Sequence, residues 1–164
     1  MNKDKTKYAL VTGASRGIGR ATAIELAKDG YKILINYNSN EKAAQETLSL
    51  IKEAGSDGEI MQFDVAKASE VAVLEKWIDA NPDSVIEILV NNAGIRKDQL
   101  LMFMSQEEWD SVLNIGLGGF YNVTKLVIKG MLLQKYGRIV NVVSLSGLKG
   151  MPGQTNYSAS KATR

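Results

Sequence analysis

The sequence predicts an α/β fold in which a parallel, doubly wound sheet is flanked by helices. Three observations support this prediction. Short apolar segments alternate with segments of helical periodicity along the whole chain, which is typical of parallel strands joined by helical crossovers. A glycine-rich turn at residues 12–19 links the first apolar segment to the first helical one. The run at residues 86–90 is apolar almost throughout, as expected for a strand buried on both faces.

The predicted elements follow one another in the order that this fold requires. The strands are expected at residues 8–11, 32–36, 59–63, 86–90 and 138–143. Helices are expected at residues 18–28, from the cap Asn40 to Gly55, from about Val71 to Asn81-Pro82, and from the capping box of Ser105 and Glu108 to about Leu133. Ligands of such sheets bind beyond the carboxyl ends of the strands, so the loops there are the candidate site.

Composition limits the available chemistry. The chain has no cysteine and no histidine, which excludes a disulfide, a thiol nucleophile, a thiolate metal site and the commonest general acid/base. Any proton transfer must therefore use Tyr, Lys, Asp or Glu, and no metal site is predicted. The 164 residues are expected to form a single domain.

Charge and hydropathy give no indication of nucleic acid or a membrane as a partner. The net charge is only +2 and no block of Lys and Arg occurs. Residues 1–7 are polar, unlike a signal peptide, and no apolar run is long enough to span a bilayer. A cytoplasmic location is the resulting expectation.

The glycine turn predicts a dinucleotide site. Gly13, Gly17 and Gly19 would let the backbone turn sharply and approach a pyrophosphate, while the following helix directs its N–H groups and positive dipole end at that charge. The spacing is Gly-x3-Gly-x-Gly and differs from the common G-x-G-x-x-G pattern. A tight connection without a ligand is the alternative.

The segment after the second strand favours NADP over NAD. Residues 36–39 contain no Asp or Glu, although NAD sites usually place a carboxylate there for the ribose 2′-hydroxyl. Arg16 in the glycine turn can reach the same place, and its planar cation suits a 2′-phosphate. The alternative is that Arg16 is a solvated turn residue.

Polar residues also follow the third and fourth strands. Asp64 could accept a hydrogen bond from an adenine amino group, or it could cap the next helix. Asn91 and Asn92 can tie neighbouring strand ends together, and Ala93 and Gly94 leave room for a cofactor. An ordinary turn is the alternative.

The fifth strand is followed by a candidate acid. Ser144 comes directly after the strand, and Tyr157 and Lys161 lie at i and i+4 if that segment is helical. A free tyrosine has a pKa near ~10, and a neighbouring ammonium lowers such a pKa because it favours the phenolate. Tyr157 could then donate a proton while hydride reaches a carbonyl carbon, and Ser144 could hydrogen-bond the developing oxyanion.

Taken together, these motifs resemble the short-chain dehydrogenase/reductase family over the whole chain. The matching marks are residues 12–19, Asp64, residues 91–94, Asn114, Ser144, Tyr157 and Lys161. Within the family the chain is most similar to bacterial 3-oxoacyl-[acyl-carrier-protein] reductases, on residues 91–95, residues 100–102, Met104 and Trp109. The resemblance implies a Rossmann-like fold, NADP(H) as cofactor, and reduction of a 3-oxoacyl thioester in fatty acid biosynthesis.

The resemblance also implies residue roles. Tyr157 would be the proton donor, Lys161 would hold the nicotinamide ribose, Ser144 would steady the carbonyl, and Asn114 would sit in a mid-helix irregularity and hold a water that links Lys161 to solvent. The implied cofactor contacts are Gly13, Ser15, Arg16, Gly17, Ile18, Gly19, Asn38, Asp64, Val65, Asn91, Asn92, Ala93, Gly94, Tyr157 and Lys161. Lys135, expected near the mouth of the cleft, would contact the acidic carrier protein, or it is merely a solvated lysine.

One departure from the family is large. Family members continue beyond Arg164 with the rest of the helix, two more strands, the substrate loop and much of the contact surface of a homotetramer. Either a longer protein is represented here by a part of itself, or a chain that ends there has an exposed apolar sheet edge, weak substrate binding and little turnover. Alternatives to the thioester reductase are a dinucleotide-binding module without activity and a family dehydrogenase acting on a sugar or another secondary alcohol. A methyltransferase is disfavoured because it would need neither the Tyr/Lys pair nor Arg16.

Overall fold

A parallel sheet of five strands forms the centre of the protein in the computed structural model, which describes residues 5–162. The strands are β1 (Thr6–Val11), β2 (Lys32–Tyr37), β3 (Gly58–Gln62), β4 (Ser84–Asn91) and β5 (Arg138–Asn141). Their spatial order is β3-β2-β1-β4-β5. The order reverses between β1 and β4, so the doubly wound topology predicted from the sequence is confirmed.

The helices lie in the crossovers between the strands. They are α1 (Gly17–Lys28), α2 (Glu41–Glu53), α3 (Ala68–Ala80), α4 (Gln106–Leu113), α5 (Gly119–Leu133) and α6 (Thr155–Ser160). A π-helical segment, Asn114–Gly118, joins α4 to α5, and short 3₁₀ turns cover Leu101–Phe103 and Leu145–Gly147. No helix within residues 5–162 combines the length and the apolar character needed to cross a membrane.

Two apolar layers cover the two faces of the sheet. Successive strand residues point to opposite faces, so Tyr8 and Leu10 of β1 pack with α3 and α5, whereas Ala9 and Val11 pack with α1 and α2. Most of these side chains are fully buried. The double coverage explains why β1, β2 and β4 are nearly continuous apolar runs in the sequence.

The predicted caps are present at the helix ends. Asn40 accepts a hydrogen bond from the N–H of Ala43 and caps α2. Ser105 and Glu108 form the complete capping box at the start of α4. Both caps satisfy N–H groups that have no partner inside the helix.

Several predicted boundaries are wrong by one or two residues. β3 begins at Gly58, where a Cβ atom would lie 2.4 Å from the carbonyl oxygen of Ile33, so close approach rather than β-propensity selects glycine. β5 ends at Asn141 instead of Val143. The long helix predicted to reach about Leu133 contains the π segment, which begins at Asn114 where the resemblance implies an irregularity.

The outermost position of β5 leaves apolar surface exposed in the part of the chain that the structure describes. Ile139 is 37% exposed, Val140 49% and Val143 51%. The exposed sheet edge that the sequence predicts for a chain of this extent is therefore present.

Candidate active site

The hydroxyl of Thr12 fastens the glycine turn to the end of β4. It donates to the carbonyl oxygen of Val90 (3.3 Å) and accepts from the N–H groups of Asn92 and Ala93 (both 3.0 Å). The side-chain amide of Asn92 returns the contact by donating to the carbonyl oxygens of Thr12 (2.8 Å) and Gly13 (3.2 Å). The predicted tie between strand ends is thus observed, with Thr12 as a partner that sequence reasoning did not single out.

Asn36 performs the same task on the other side of β1. This buried residue of β2 donates from its amide to the carbonyl oxygen of Phe63 (3.0 Å) and accepts from the N–H of Gly13 (3.1 Å). It thereby joins the ends of β1, β2 and β3. The signal in the sequence was an amide in an otherwise apolar strand, because a buried polar group needs partners.

The glycine turn is shaped to receive a ligand. Gly13 and Gly17 have φ angles of +64° and +58°, which side chains rarely adopt. A Cβ atom at Gly17 would meet nothing within 4 Å, whereas one at Gly19 would lie 2.5 Å from the carbonyl oxygen of Gly13. The turn therefore has no room for a side chain at Gly19, whereas Gly17 faces open space.

The start of α1 offers unpaired donors. Arg16 is the N-cap and its side chain makes no capping hydrogen bond. Within residues 5–162, the N–H groups of Gly13 and Ala14 bond to Asn36, while those of residues 15–19 bond to no protein group. Donors of this kind at a helix start suit a phosphate, so the residues fit the pyrophosphate of a dinucleotide. Ile18, 65% exposed, lies among them.

The segment after β2 has no acidic residue at positions 38–40, and the glycine turn carries the cation Arg16. Arg16 and Asn38 are both exposed, and Arg16 forms no ion pair with any described residue. The carbonyl oxygen of Asn38 accepts from the Gln62 side chain at 2.9 Å. This arrangement keeps the position compatible with a 2′-phosphate.

Asp64 and Val65 differ in what they can offer a ligand. One carboxylate oxygen of Asp64 accepts from the N–H of Ala66 (2.9 Å) in a local turn, and α3 begins later with Lys67 as its N-cap. The Val65 side chain is only 5% exposed and packs against Gly119. A ligand would therefore meet the main chain of Val65 and not its side chain.

Asn91 lines the small cavity beside Lys161, but its side-chain amide is engaged by neighbouring residues. Its amide donates to the Asn141 side chain (3.0 Å) and to the Thr124 hydroxyl (3.1 Å), which fixes the end of β4 to β5 and α5. The partners Asn141 and Thr124 were not singled out from the sequence.

Tyr157 and Lys161 lie side by side at the carboxyl ends of β4 and β5. Tyr157 belongs to α6 and Lys161 is its C-cap, so the predicted helical spacing brings the two side chains together. The Lys161 ammonium lies 5.9 Å from the centre of the Tyr157 ring and donates to the carbonyl oxygen of Val142 (2.9 Å). A Cβ atom at Gly94 would lie 3.2 Å from this ammonium. Burial lowers the pKa of Lys161 below its ordinary value.

Ser144 opens a 3₁₀ turn that packs against α6. Its hydroxyl accepts from the N–H of Ser146 at 3.2 Å, and Ser146 in turn donates to the side chain of Gln154 at 3.0 Å. A Cβ atom at Gly147 in the same turn would collide with the carbonyl oxygen of Lys161. The turn that carries Ser144 and the helix that carries Tyr157 are therefore in direct contact.

Asn114 lies at the helix irregularity that the resemblance implies, but it does not line the cavity beside Lys161. The predicted mid-helix irregularity is present, and Asn114 is the first residue of the π segment. However, Asn114 is exposed, and the cavity of about 20 Å³ beside Lys161 is lined by Ile115 and Gly116 instead. Residues two positions apart lie on nearly opposite sides of a helix, so Gly116, which has no side chain, faces the cavity.

Lys135 does not lie near the mouth of the cleft. The helix α5 runs antiparallel to the strands, so its C-terminal end lies at the amino ends of the strands, opposite the candidate site. There Lys135 lines a groove with Lys5 and Ser84, at the starts of β1 and β4.

Comparison with known proteins places these features in context. Residues 7–163 match the family described as short chain dehydrogenase. The chain is 48% identical over 156 residues to a 3-oxoacyl-[acyl-carrier-protein] reductase of Synechocystis, a match that covers 95% of this chain and 63% of that protein. It is 46% identical over 156 residues to a 3-oxoacyl-[acyl-carrier-protein] reductase of Staphylococcus epidermidis, and that match covers 95% of this chain and 64% of that protein. It therefore spans less than two thirds of their length.

A solved structure gives the same result for the fold. The crystal structure of a "putative gluconate dehydrogenase" from Agrobacterium tumefaciens superposes with a TM-score of 0.89 at 32% identity. The match covers 98% of this chain and 63% of the other.

Proposed function

The chain belongs to the short-chain dehydrogenase family, and we propose that it is an NADPH-dependent reductase of 3-oxoacyl thioesters carried on acyl carrier protein. The observation that carries this proposal is the contact between Tyr157 and Lys161 beside Gly94, at the edge of the sheet where the glycine turn also lies. The identity of 45–48% to 3-oxoacyl-[acyl-carrier-protein] reductases supports the substrate class.

The residues divide the work as follows. Residues 15–19 hold the pyrophosphate, Arg16 and Asn38 contact the 2′-phosphate, and Asp64 and the main chain of Val65 contact the adenine. NADPH, when bound, supplies a hydride to the substrate carbonyl carbon. The hydroxyl of Ser144 donates a hydrogen bond to the carbonyl oxygen, and Tyr157 delivers a proton to it. Lys161 holds the ribose and keeps a positive charge beside the phenol.

The residues around Lys161 also indicate where the proton that the reaction consumes is replaced from solvent. The cavity lined by Gly116 and Lys161 is large enough for one water molecule, and we place the exchange of protons with solvent there. A cytoplasmic location and a homo-oligomer are part of the same proposal.

The test is the loss of NADPH absorbance with acetoacetyl thioesters. We expect turnover with NADPH to exceed turnover with NADH, because the end of β2 has no carboxylate and Arg16 is unpaired. Tyr157→Phe should lower kcat by at least about 100-fold and leave NADPH binding within about twofold. A Tyr157→Phe variant that is as fast as the parent would show that another group is the acid.

A second candidate function is oxidation of a sugar or another secondary alcohol. The observation that favours it is the similarity, with a TM-score of 0.89, to the solved structure described as a "putative gluconate dehydrogenase". The same preparation assayed with NADP⁺ and gluconate separates the two. Turnover of gluconate without turnover of the thioester would select the second candidate.

A further inference from the structure

Arg96 adds a second cation to the candidate proton donor. Its guanidinium carbon lies 5.7 Å from the centre of the Tyr157 ring, as close as the Lys161 ammonium at 5.9 Å. Both distances fall within the range of a cation–π contact, about 6 Å. The role proposed above uses Lys161 and leaves Arg96 without a function.

The guanidinium of Arg96 has unused donors. Arg96 is exposed and takes part in none of the ion pairs formed within residues 5–162. The arginine side chains that donate hydrogen bonds there are Arg20, to the glycine turn and α2, and Arg138, to its neighbour Gly137. Arg96 therefore keeps its planar set of five N–H donors available beside the reacting group.

The residues next to Arg96 are fixed to α6. The carbonyl oxygen of Lys97 accepts from the fully buried amide of Asn156 at 3.0 Å, and the carboxylate of Asp98 accepts from Gln154 at 3.0 Å. Gln154 and Asn156 lie three residues and one residue before Tyr157. These two contacts fix the chain next to Arg96 to the start of α6 and so set its position relative to the Tyr157 ring. The Asp98 carboxylate is occupied by Gln154 and forms no ion pair with Arg96.

We propose that Arg96 is a specificity-determining residue that binds a carboxylate located within a few bonds of the carbonyl being reduced. This inference rests on the proposed function and adds to its substrates 3-oxo compounds whose carboxylate is free, such as 3-oxo acids. A guanidinium matches a carboxylate with two parallel N–H···O bonds. An uncharged acyl chain would leave those donors unused.

Acetoacetate and its methyl ester test this proposal, because they share one ketone and differ in charge. Arg96→Gln should lower kcat/KM for NADPH-dependent reduction of acetoacetate by about tenfold or more and change that for methyl acetoacetate by less than about twofold. Arg96→Lys should recover part of the loss, since it keeps the charge but not the planar donors. Lys97→Gln, at the adjacent exposed lysine, is the matched control and should leave both substrates unchanged.

An equal loss on both substrates would overturn the proposal and show that Arg96 acts on Tyr157 alone. If the protein reduces neither compound, ligand binding tests the carboxylate site instead. Thermal shifts with 3-hydroxybutyrate and its methyl ester, in the presence of NADP⁺, should favour the acid in the parent and not in Arg96→Gln. That result without turnover would retain Arg96 as a carboxylate site and reject the reductase, whereas equal shifts for acid and ester in the parent would reject the carboxylate site.

Discussion

At the scale of the residue, Lys161 shows how burial and position act together. Its ammonium is held by the carbonyl oxygen of Val142 and lies against Gly94 and Tyr157. Removal from water disfavours the charged form and lowers the pKa of Lys161. The charge that the proposed reaction needs is therefore maintained at a cost to the folded state.

This cost predicts a particular pH dependence. Unfolded Lys161 releases its proton near its ordinary pKa of 10.5, and folded Lys161 releases it at lower pH. Between those two values the unfolded state binds more protons, so this residue makes the free energy of unfolding rise with pH. The difference in that free energy between Lys161→Met and the parent should be constant at neutral pH and should shift in favour of the parent through the alkaline window. Denaturant titrations from pH 6 to pH 10.5 measure it, and parallel curves for the two proteins would contradict it.

At the scale of the element, the π segment Asn114–Gly118 decides which residues face α6. A Cβ atom at Gly116 would lie 2.8 Å from the Cβ atom of Ser160, whereas one at Gly118 would meet nothing within 4 Å. Ser160 precedes Lys161, so the approach at Gly116 sets the position of the whole Tyr157–Lys161 pair. π-helical turns are often found at functional sites.

Two alanine substitutions in this segment should therefore have opposite effects. Gly116→Ala should destabilise the fold by about 1–3 kcal/mol, because the added methyl group overpacks the contact with Ser160, and it should lower NADPH oxidation by displacing α6. Gly118→Ala is the matched control and should be neutral or stabilising by up to about 1 kcal/mol. Chemical denaturation and the absorbance assay measure both. Equal behaviour of the two variants would remove Gly116 from the positioning of α6.

The sequence predicted the elements better than the geometry inside them. Strand alternation, the caps at Asn40 and Ser105 and the glycine turn follow from local chemistry, and each is present. The π segment is different, because nothing local distinguishes Asn114 from Gly116 until the long helix meets α6. Lys135 was misplaced for a similar reason, since the direction of α5 relative to the strands decides which edge it reaches.

The buried polar residues were also hard to assign. Thr12 directly follows the apolar strand β1 and Asn36 lies in the apolar strand β2, and a sequence shows only that such polar groups need partners. The partners come from β3, β4 and their loops, far away along the chain. Pairs separated by so many residues become visible only when the strand order is known.

At the scale of the whole molecule, β5 is the element from which association with other chains can be predicted. It is the outermost strand of the described sheet, and its residues Ile139 and Val140 are exposed on a strand with unpaired backbone groups at one side. Exposed apolar edge strands promote pairing between chains. The groove of about 690 Å³ that contains Lys135 lies at the amino ends of the strands, and no residue of β5 lines it.

We expect the 164-residue chain to self-associate at high concentration through this edge. Val140→Lys should reduce that association, because a charge at an edge strand opposes pairing. Val73→Lys, on the exposed surface of α3 where the valine is 38% exposed, is the matched control and should have no effect. Sedimentation velocity over a range of concentrations measures both, and association that Val140→Lys leaves unchanged would place the contact elsewhere.

The hydroxyl of Thr12 has a consequence for ligand binding. It holds the ends of two strands together from within the protein, and Asn36 secures the third. These hydrogen bonds hold the backbone that we propose binds the pyrophosphate before any dinucleotide arrives, so we expect little conformational entropy to be lost when one docks. Affinity can then come almost entirely from the contacts themselves, and departure of a product nucleotide requires no rearrangement of the turn that releases it.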